Sequence, residues 1–192
     1  YDRPPLSKQV LQGVWEPEQT FFRRKDGYDA LALDMRLGVR AMSVDLRARR
    51  VALADGTFAD YDRLIIATGA RVRTLPGIAP RAGLLVLRSL DDAIALRRER
   101  MHATRVAIVG AGFIGLEVAA SCRARGLDVT VIEALPAPLS HILGPTLCEM
   151  IAAMHRDHGV DLRTGVMVTD VVGVSRVAGV VLSDGSRIDA DV

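Results

Sequence analysis

The chain has 192 residues, 49% apolar and 25% charged, which is the balance of a folded globular protein and excludes disorder and fibrous repeats. A net charge of +2 and an aromatic content of 4% leave neither the electrostatic footprint nor the stacking platform of a nucleic-acid binder. Area scaling gives a folded surface of about 8,900 Å² against about 30,000 Å² unfolded, enough burial for a core. Cys122 and Cys148 are the only cysteines and lie far apart, so neither a disulfide framework nor a CxxC metal site can be built. The basic residues are almost all arginine, with Lys8 and Lys25 the only lysines.

In chain order, Leu6 to Gln12 reads as a short helix with Ser7 as a candidate cap, and residues 16 to 37 as irregular. Val39 to Val44 and Arg50 to Leu53 read as strands, joined through the Asp55-Gly56 turn to a strand through Thr57 and Phe58. Leu64-Ile65-Ile66 reads as a short buried strand, and Pro76-Gly77 and Pro80 as a connector. Ser89 with an acid three residues on marks a helix to about Met101. Val106–Val109 and Val129–Ile132 read as buried strands around a helix Phe113–Arg125 that Gly126 stops. Pro145 suits the first turn of a helix to about His158. Val160–Leu162, Met167–Val172 and Val177–Leu182 read as further strands, with a second hairpin turn at Asp184-Gly185.

The chain opens on Tyr1-Asp2-Arg3-Pro4-Pro5-Leu6-Ser7-Lys8, and Ile188 to Val192 reads as a strand just beginning; both ends are expected to be interior to a longer sequence. The longest uncharged stretch, Val106 to Leu116, carries three glycines and is broken by Glu117, which argues against a membrane helix. Val51 to Thr57 is echoed by Val180 to Ser186, as two related domains would produce. His155 and His158, three apart, offer too few ligands for a metal, and no metal is expected. Cys122 and Cys148 read as small buried residues.

Most information lies in Arg105 to Gly115, a strand followed by Gly-x-Gly-x-x-Gly and a helix. Gly110 permits the tight turn, Gly112 lets the backbone approach a pyrophosphate, and Gly115 lets helix and strand pack closely. The phosphates would rest on the helix N-terminus. Glu133 ends the next strand, 23 residues after Gly110, where a carboxylate accepts from a ribose 2′-hydroxyl and repels a 2′-phosphate. No arginine or lysine lies between Ala134 and Arg156 to offset that repulsion, so NADH is expected over NADPH. Glu117, an acid among Leu116, Val118, Ala119 and Ala120, gains from the helix N-terminus and sets a charge near the dinucleotide.

The opening eight residues, with Leu64 to Ala70, Leu87 to Ala93 and Gly110 to Ala120, resemble the FAD-dependent, NADH-linked ferredoxin reductases. This is the group within the pyridine nucleotide-disulfide oxidoreductase superfamily that feeds bacterial oxygenases and includes reductases for putidaredoxin, rubredoxin and dioxygenase ferredoxins. The resemblance covers essentially the whole chain in order. It implies an α/β fold of paired Rossmann-like FAD- and NAD-binding domains. Each would hold a parallel sheet with helices and a small antiparallel β-meander. Residues 1–88 would be a partial FAD-binding domain and connector, and residues 89–192 a nearly complete NAD-binding domain. The first FAD Gly-x-Gly-x-x-Gly, the later Gly-Asp motif and the C-terminal interface domain of the family are not in this sequence.

The resemblance also implies roles. Arg3 and Lys8 would sit at the flavin, with Lys8 near the isoalloxazine and paired with Glu117. An ammonium there stabilises negative charge on reduced flavin. Thr68, Gly69 and Ala70 would pass along the FAD, Ala41 would lie beside the adenine, and Arg88 would reach the flavin. Gly110, Gly112, Phe113, Ile114, Gly115, Glu117 and Glu133 would form the NADH site, with Phe113 equally readable as helix packing. Relatives carry arginines in the loop after the second NAD strand. Here those places are Ala137 and His141, and His141 would substitute by hydrogen bonding. Disulfide reductases of the superfamily carry a cysteine pair where this chain has Pro4-Pro5-Leu6-Ser7-Lys8, so no thiol relay is expected.

Together these imply a cytoplasmic flavoprotein that takes hydride from NADH and passes single electrons to a small iron–sulfur ferredoxin or rubredoxin. Lys8 and Glu117 would be its catalytic pair. Two other readings fit the same residues: a related NADH oxidase or nitrite-reductase-type module, and a non-enzymatic NAD-binding module.

Overall fold

The order of β4 (Arg105–Val109), β5 (Asp128–Glu133) and β6 (Val160–Thr164) sets the core of the molecule. The computed structural model describes residues 1–22, 27–28 and 31–192. The three strands form a parallel sheet in that order, with Val106 opposite Val129 and Val131 opposite Leu162. Parallel neighbours need crossovers, and the sequence supplies two. Helix α2 (Phe113–Arg123) joins β4 to β5, and α3 (Pro145–Asp157) lies between β5 and β6. Strand side chains alternate between the two faces of the sheet. On one face Val106, Val129, Val131, Val160 and Leu162 pack with Leu116, Val118, Ala119 and Cys122 of α2 and Ala152 of α3. On the other, Ile132 and Ala107 meet Val180 and Leu182 of an antiparallel meander, β7 (Val168–Val172), β8 (Gly179–Leu182) and β9 (Arg187–Asp189).

Helix α1 (Leu90–Arg100) begins as the sequence indicates. Asp92 N–H donates to the Ser89 hydroxyl at 3.2 Å, and Ser89 N–H donates to Asp92 Oδ2 at 2.8 Å. Against α1 packs a π-helical turn, Leu6–Val10, whose Leu6 and Val10 bury with Ala93 beside Trp15 and Leu87. Its signature bond runs from Val10 N–H to Pro5 C=O at 3.0 Å. Pro5 holds the cap position, so Ser7 lies inside the turn and is not its cap. After β9 the chain runs beside β4, Asp191 N–H donating to Arg105 C=O and Ala107 N–H to Val192 C=O, both at 2.9 Å. Of the strand expected from Ile188 to Val192, Ile188 and Asp189 fall in β9, and residues 190–192 run beside β4 through these bonds.

All of this belongs to one compact unit, Tyr1–Phe22 with Val72–Val192. The second unit, Arg23–Arg71, holds a meander of β1 (Ala41–Asp45), β2 (Arg50–Leu53) and β3 (Phe58–Asp60). The expected echo is real at the level of atoms. Asp55 Oδ1 accepts from Thr57 N–H at 2.9 Å and from its hydroxyl at 2.7 Å. Asp184 Oδ1 accepts from Ser186 N–H at 2.9 Å and from its hydroxyl at 2.6 Å. Gly56 and Gly185 take φ of 82° and 83°. Both meanders also carry a register shift in their first strand pair, at Ala41/Ser43 and at Val168/Asp170.

The expectation for Leu64 to Ile66 fails as well. Leu64-Ile65-Ile66 is neither strand nor buried: the three are 37%, 88% and 75% exposed. A strand needs a partner for its backbone groups, and a buried one needs a layer on each face. The described part of Arg23–Arg71 offers only the three-stranded meander and has no buried residue. The accessible surface, 12712 Å², accordingly exceeds the area expected from chain length. Smaller differences are boundaries: β1 starts at Ala41, α2 ends at Arg123, β7 starts at Val168 and β8 at Gly179. Part of the expected irregular stretch 16–37 is a 3₁₀ turn, Pro17–Thr20, and residues 23–26, 29 and 30 lie outside the described residues. Among the described residues no helix is long and apolar enough to cross a membrane.

Candidate functional site

The glycine loop between β4 and α2 shows three different reasons for three glycines. Gly110 has φ 104°, a region that L side chains avoid. A Cβ on Gly115 would stand 2.0 Å from Gly110 C=O, so only hydrogen lets helix and strand approach this closely. Gly112, with φ −78°, has nothing within 4 Å of where its Cβ would be. Neither backbone strain nor packing demands glycine there; what remains is open space at a helix start that no side chain caps. The first N–H groups of α2 have no partner within the helix and carry its positive end, so that space suits an anion.

Glu133 closes this loop from the neighbouring strand. Its Oε2 accepts from Ala111 N–H at 2.7 Å and its Oε1 from Leu135 N–H at 2.9 Å. An ionised carboxylate has about four acceptor positions, so capacity for a ribose hydroxyl remains. The loop after β5 returns to the same place, with Leu139 buried and its N–H donating to Ala111 C=O at 3.2 Å. Phe113 and Ile114, at the start of α2, are 55% and 48% exposed, so Phe113 does not serve as helix packing. His141 is exposed on that loop.

One turn further along α2, Glu117 meets the π-helical turn. Lys8 Nζ lies 2.8 Å from Glu117 Oε1, and Ser7 Oγ donates to Glu117 Oε2 at 2.5 Å. The charged side chains are 39% and 37% exposed, so the pair is open to a ligand on one side. Burial pushes the Glu117 carboxyl up, but the hydrogen bonds from Lys8 and Ser7 and the Lys8 charge outweigh it and hold the carboxyl below its ordinary value. Behind the pair, Ser121 Oγ donates to Ser7 C=O at 2.7 Å and accepts from Gln12 Nε2 at 3.1 Å. Ser7 and Ser121 are 4% and 1% exposed.

The structure therefore brings together two groups of the expected residues. Gly110, Gly112, Gly115, Phe113, Ile114 and Glu133 surround the start of α2, and Lys8 and Glu117 form an ion pair one turn on. Arg3 is exposed at the mouth of the π-helical turn, its C=O taking Leu6 N–H at 2.9 Å. Arg88 directs its N–H to Asp92 Oδ2 at 2.9 Å, at the start of α1. Ala41, Thr68, Gly69 and Ala70 belong to the other unit and are exposed there, Gly69 with φ 77°. Sequence reasoning missed Ser121 and Gln12 and gave Ser7 the wrong task. A serine beside the rare lysine was the only available signal. Cys122 and Cys148 are buried and unpaired, the Cys122 thiol pushed up to about 11 by burial, which the Arg100 charge offsets in part.

The chain is similar to known proteins over its whole length. The profile of the family described as "Pyridine nucleotide-disulphide oxidoreductase" matches residues 1–192. The rhodocoxin reductase of Rhodococcus erythropolis is 39% identical over 196 aligned residues, covering 100% of this chain and 45% of that protein. The crystal structure of the ferredoxin reductase for the CYP199A2 system of Rhodopseudomonas palustris superposes with a TM-score of 0.92 at 37% identity, over 100% of this chain and 48% of that one. The reductase in the covalent putidaredoxin reductase–putidaredoxin complex gives 0.89 at 33% identity, over 99% and 47%. The chain spans about half the length of the curated relatives it matches.

Proposed function

Because the chain belongs to the pyridine nucleotide-disulphide oxidoreductase family, we propose that it is the central part of a flavoprotein reductase that passes electrons from NADH through FAD to a ferredoxin- or rubredoxin-type protein of an oxygenase system. The observation that carries this reading is the ion pair between Lys8 and Glu117, which ties the segment assigned to the flavin to the helix assigned to the nicotinamide. Its relatives' names, reductases of rhodocoxin and of dioxygenase ferredoxins, support the choice of acceptor. In this reading residues 1–88 supply the flavin side and residues 89–192 the NAD side.

The residues present fit NADH. Gly112 leaves open space beside the start of α2, the uncapped start of α2 would offer N–H groups to a pyrophosphate, and Glu133 would accept from the adenosine ribose. On the flavin side the observation is the half-exposed Lys8 ammonium; Arg3, Arg88 and Thr68-Gly69-Ala70 are flavin residues by resemblance alone. The chemistry that FAD would supply when bound is hydride acceptance and one-electron release. Lys8 would offer a compact positive charge to a flavin held there, favouring its anionic reduced form. Glu117 holds that ammonium in position through Oε1, while its Oε2 is held by the Ser7 hydroxyl. Glu133 disfavours a 2′-phosphate, so NADH is the donor over NADPH. His141 offers a hydrogen bond where relatives have an arginine. The cytoplasm, which holds the NADH pool, is the proposed compartment.

The test is transfer itself. The full-length protein, supplied with NADH and a [2Fe–2S] ferredoxin, is expected to reduce the ferredoxin catalytically, and Glu117→Ala is expected to slow reduction of the flavin. Stoichiometric oxygen consumption with no transfer to any redoxin would replace this reading with that of an oxidase.

A further inference from the structure

Ser7 is the one residue of the π-helical turn that engages α2 through both its side chain and its backbone. Its hydroxyl has a single proton, spent on Glu117 Oε2 at 2.5 Å, the short distance of a charge-assisted O–H···O⁻ bond. Its carbonyl takes the Ser121 hydroxyl at 2.7 Å, and Ser121 is in turn held by Gln12 Nε2 at 3.1 Å. Glu117 thus has one oxygen for each partner: Oε1 for Lys8 and Oε2 for Ser7. A carboxylate bound by an ammonium alone can rotate and wrap both oxygens around it. Here the second oxygen is pinned by a buried donor whose own position is fixed. The wider π turn is the local geometry that lets neighbouring Ser7 and Lys8 both reach one carboxylate, and such turns concentrate at functional sites.

We propose that Ser7 is a positioning residue. Its hydroxyl locks the Glu117 carboxylate in the rotamer that leaves Lys8 half free, and Ser121 and Gln12 hold Ser7 to that task. The inference rests on the reading of Lys8 and Glu117 as the flavin–nicotinamide pair. Lys8 is the charge that acts on Glu117. From α3, His155 meets α2 at Leu116, but its ring nitrogens face the Leu116 and Ile151 carbonyls. The faces of β4 and β5 against α2 carry Val106, Ile108, Val129 and Val131. Their charged residues are engaged elsewhere: Arg105 with Asp191, Asp128 with Arg123, and Glu133 with the Ala111 and Leu135 amides. Lys8 and Ser7 are therefore the groups that set the state of this carboxylate.

The experiment uses the full-length flavoprotein labelled with ¹³C at the glutamate side-chain carboxyl, the Glu117 signal being assigned by its loss in Glu117→Gln. In wild type Glu117 should titrate below the ordinary glutamate range. Ser7→Ala should move that titration up by about one pH unit, a tenfold change in proton binding. It should also slow flavin reduction by NADH several-fold at unchanged NADH affinity, and Ser7→Thr should restore both. If Ser7→Ala does not fold, Ser121→Ala carries the same expectation at reduced size. An unmoved titration overturns the proposal, as does a moved titration with unchanged reduction, or a slowed reduction with no movement of the titration. If instead NADH fails to bleach the wild-type flavin, the functional reading falls. The titration then still reports whether Ser7 controls Glu117.

Discussion

Ala111 and Glu133, 22 residues apart, are joined by a 2.7 Å hydrogen bond from the Ala111 amide to Glu133 Oε2, while the Ala111 carbonyl takes the Leu139 amide. The glycine loop is therefore shaped by the strand that follows it as well as by its own glycines. Removing the carboxylate should loosen the loop and remove the ribose acceptor at once. Glu133→Ala is expected to weaken NADH binding about tenfold, the value of a single hydrogen bond to a charged group. It should also narrow the preference over NADPH. Calorimetric titration of both nucleotides into the full-length variant checks this, and an unchanged preference would remove Glu133 from the adenosine site.

Gly112 and Gly115 make a matched pair of opposite predictions. Gly112→Ala puts a methyl into open space at an ordinary φ, so thermal stability should stay close to wild type while NADH binding is lost. Gly115→Ala drives a methyl to 2.0 Å from the Gly110 carbonyl and must shift the start of α2. It should destabilise the fold by about 1–3 kcal/mol, as overpacking does. Thermal unfolding and NADH titration of the two variants separate a ligand-facing glycine from a packing glycine.

Asp191 anchors the chain beside β4. Its Oδ2 accepts from Thr104 N–H and hydroxyl and from Arg105 N–H, and its Oδ1 from the Arg105 guanidinium at 3.0 Å. The Thr104 amide bond comes first among the causes that hold this carboxyl well below the usual range, against a smaller penalty from burial. A carboxyl lowered in the folded state stabilises above the ordinary aspartate range. That contribution is lost as pH falls below it toward the folded value. Asp191→Asn is expected to cost about 1–2 kcal/mol at pH 7, with the difference from wild type shrinking in strong acid. Urea unfolding at pH 7 and pH 3 reads both.

What was legible in the sequence was local. The capping box at Ser89 and Asp92, Pro145 at a helix start, the two Asp-Gly turns and the glycine loop each carry their cause within a few residues, and each appears where expected. Leu64 to Ile66 misled because an apolar run reports a capacity for burial, while burial itself depends on partner strands. Glu133 was legible as an acceptor, since its distance from the glycines is characteristic of such loops, but its bond to Ala111 was not. Ser7, Ser121 and Gln12 were illegible for a different reason. Their hydrogen bonds span 109 to 114 residues and leave no periodicity or spacing in the chain.

The most direct test of the whole account is the visible spectrum of the full-length protein under anaerobic conditions during titration with NADH. The account predicts flavin bands that bleach with NADH and return on addition of a one-electron acceptor. A colourless full-length protein that still binds NADH would contradict it, leaving a nicotinamide domain whose Lys8–Glu117 pair serves no flavin.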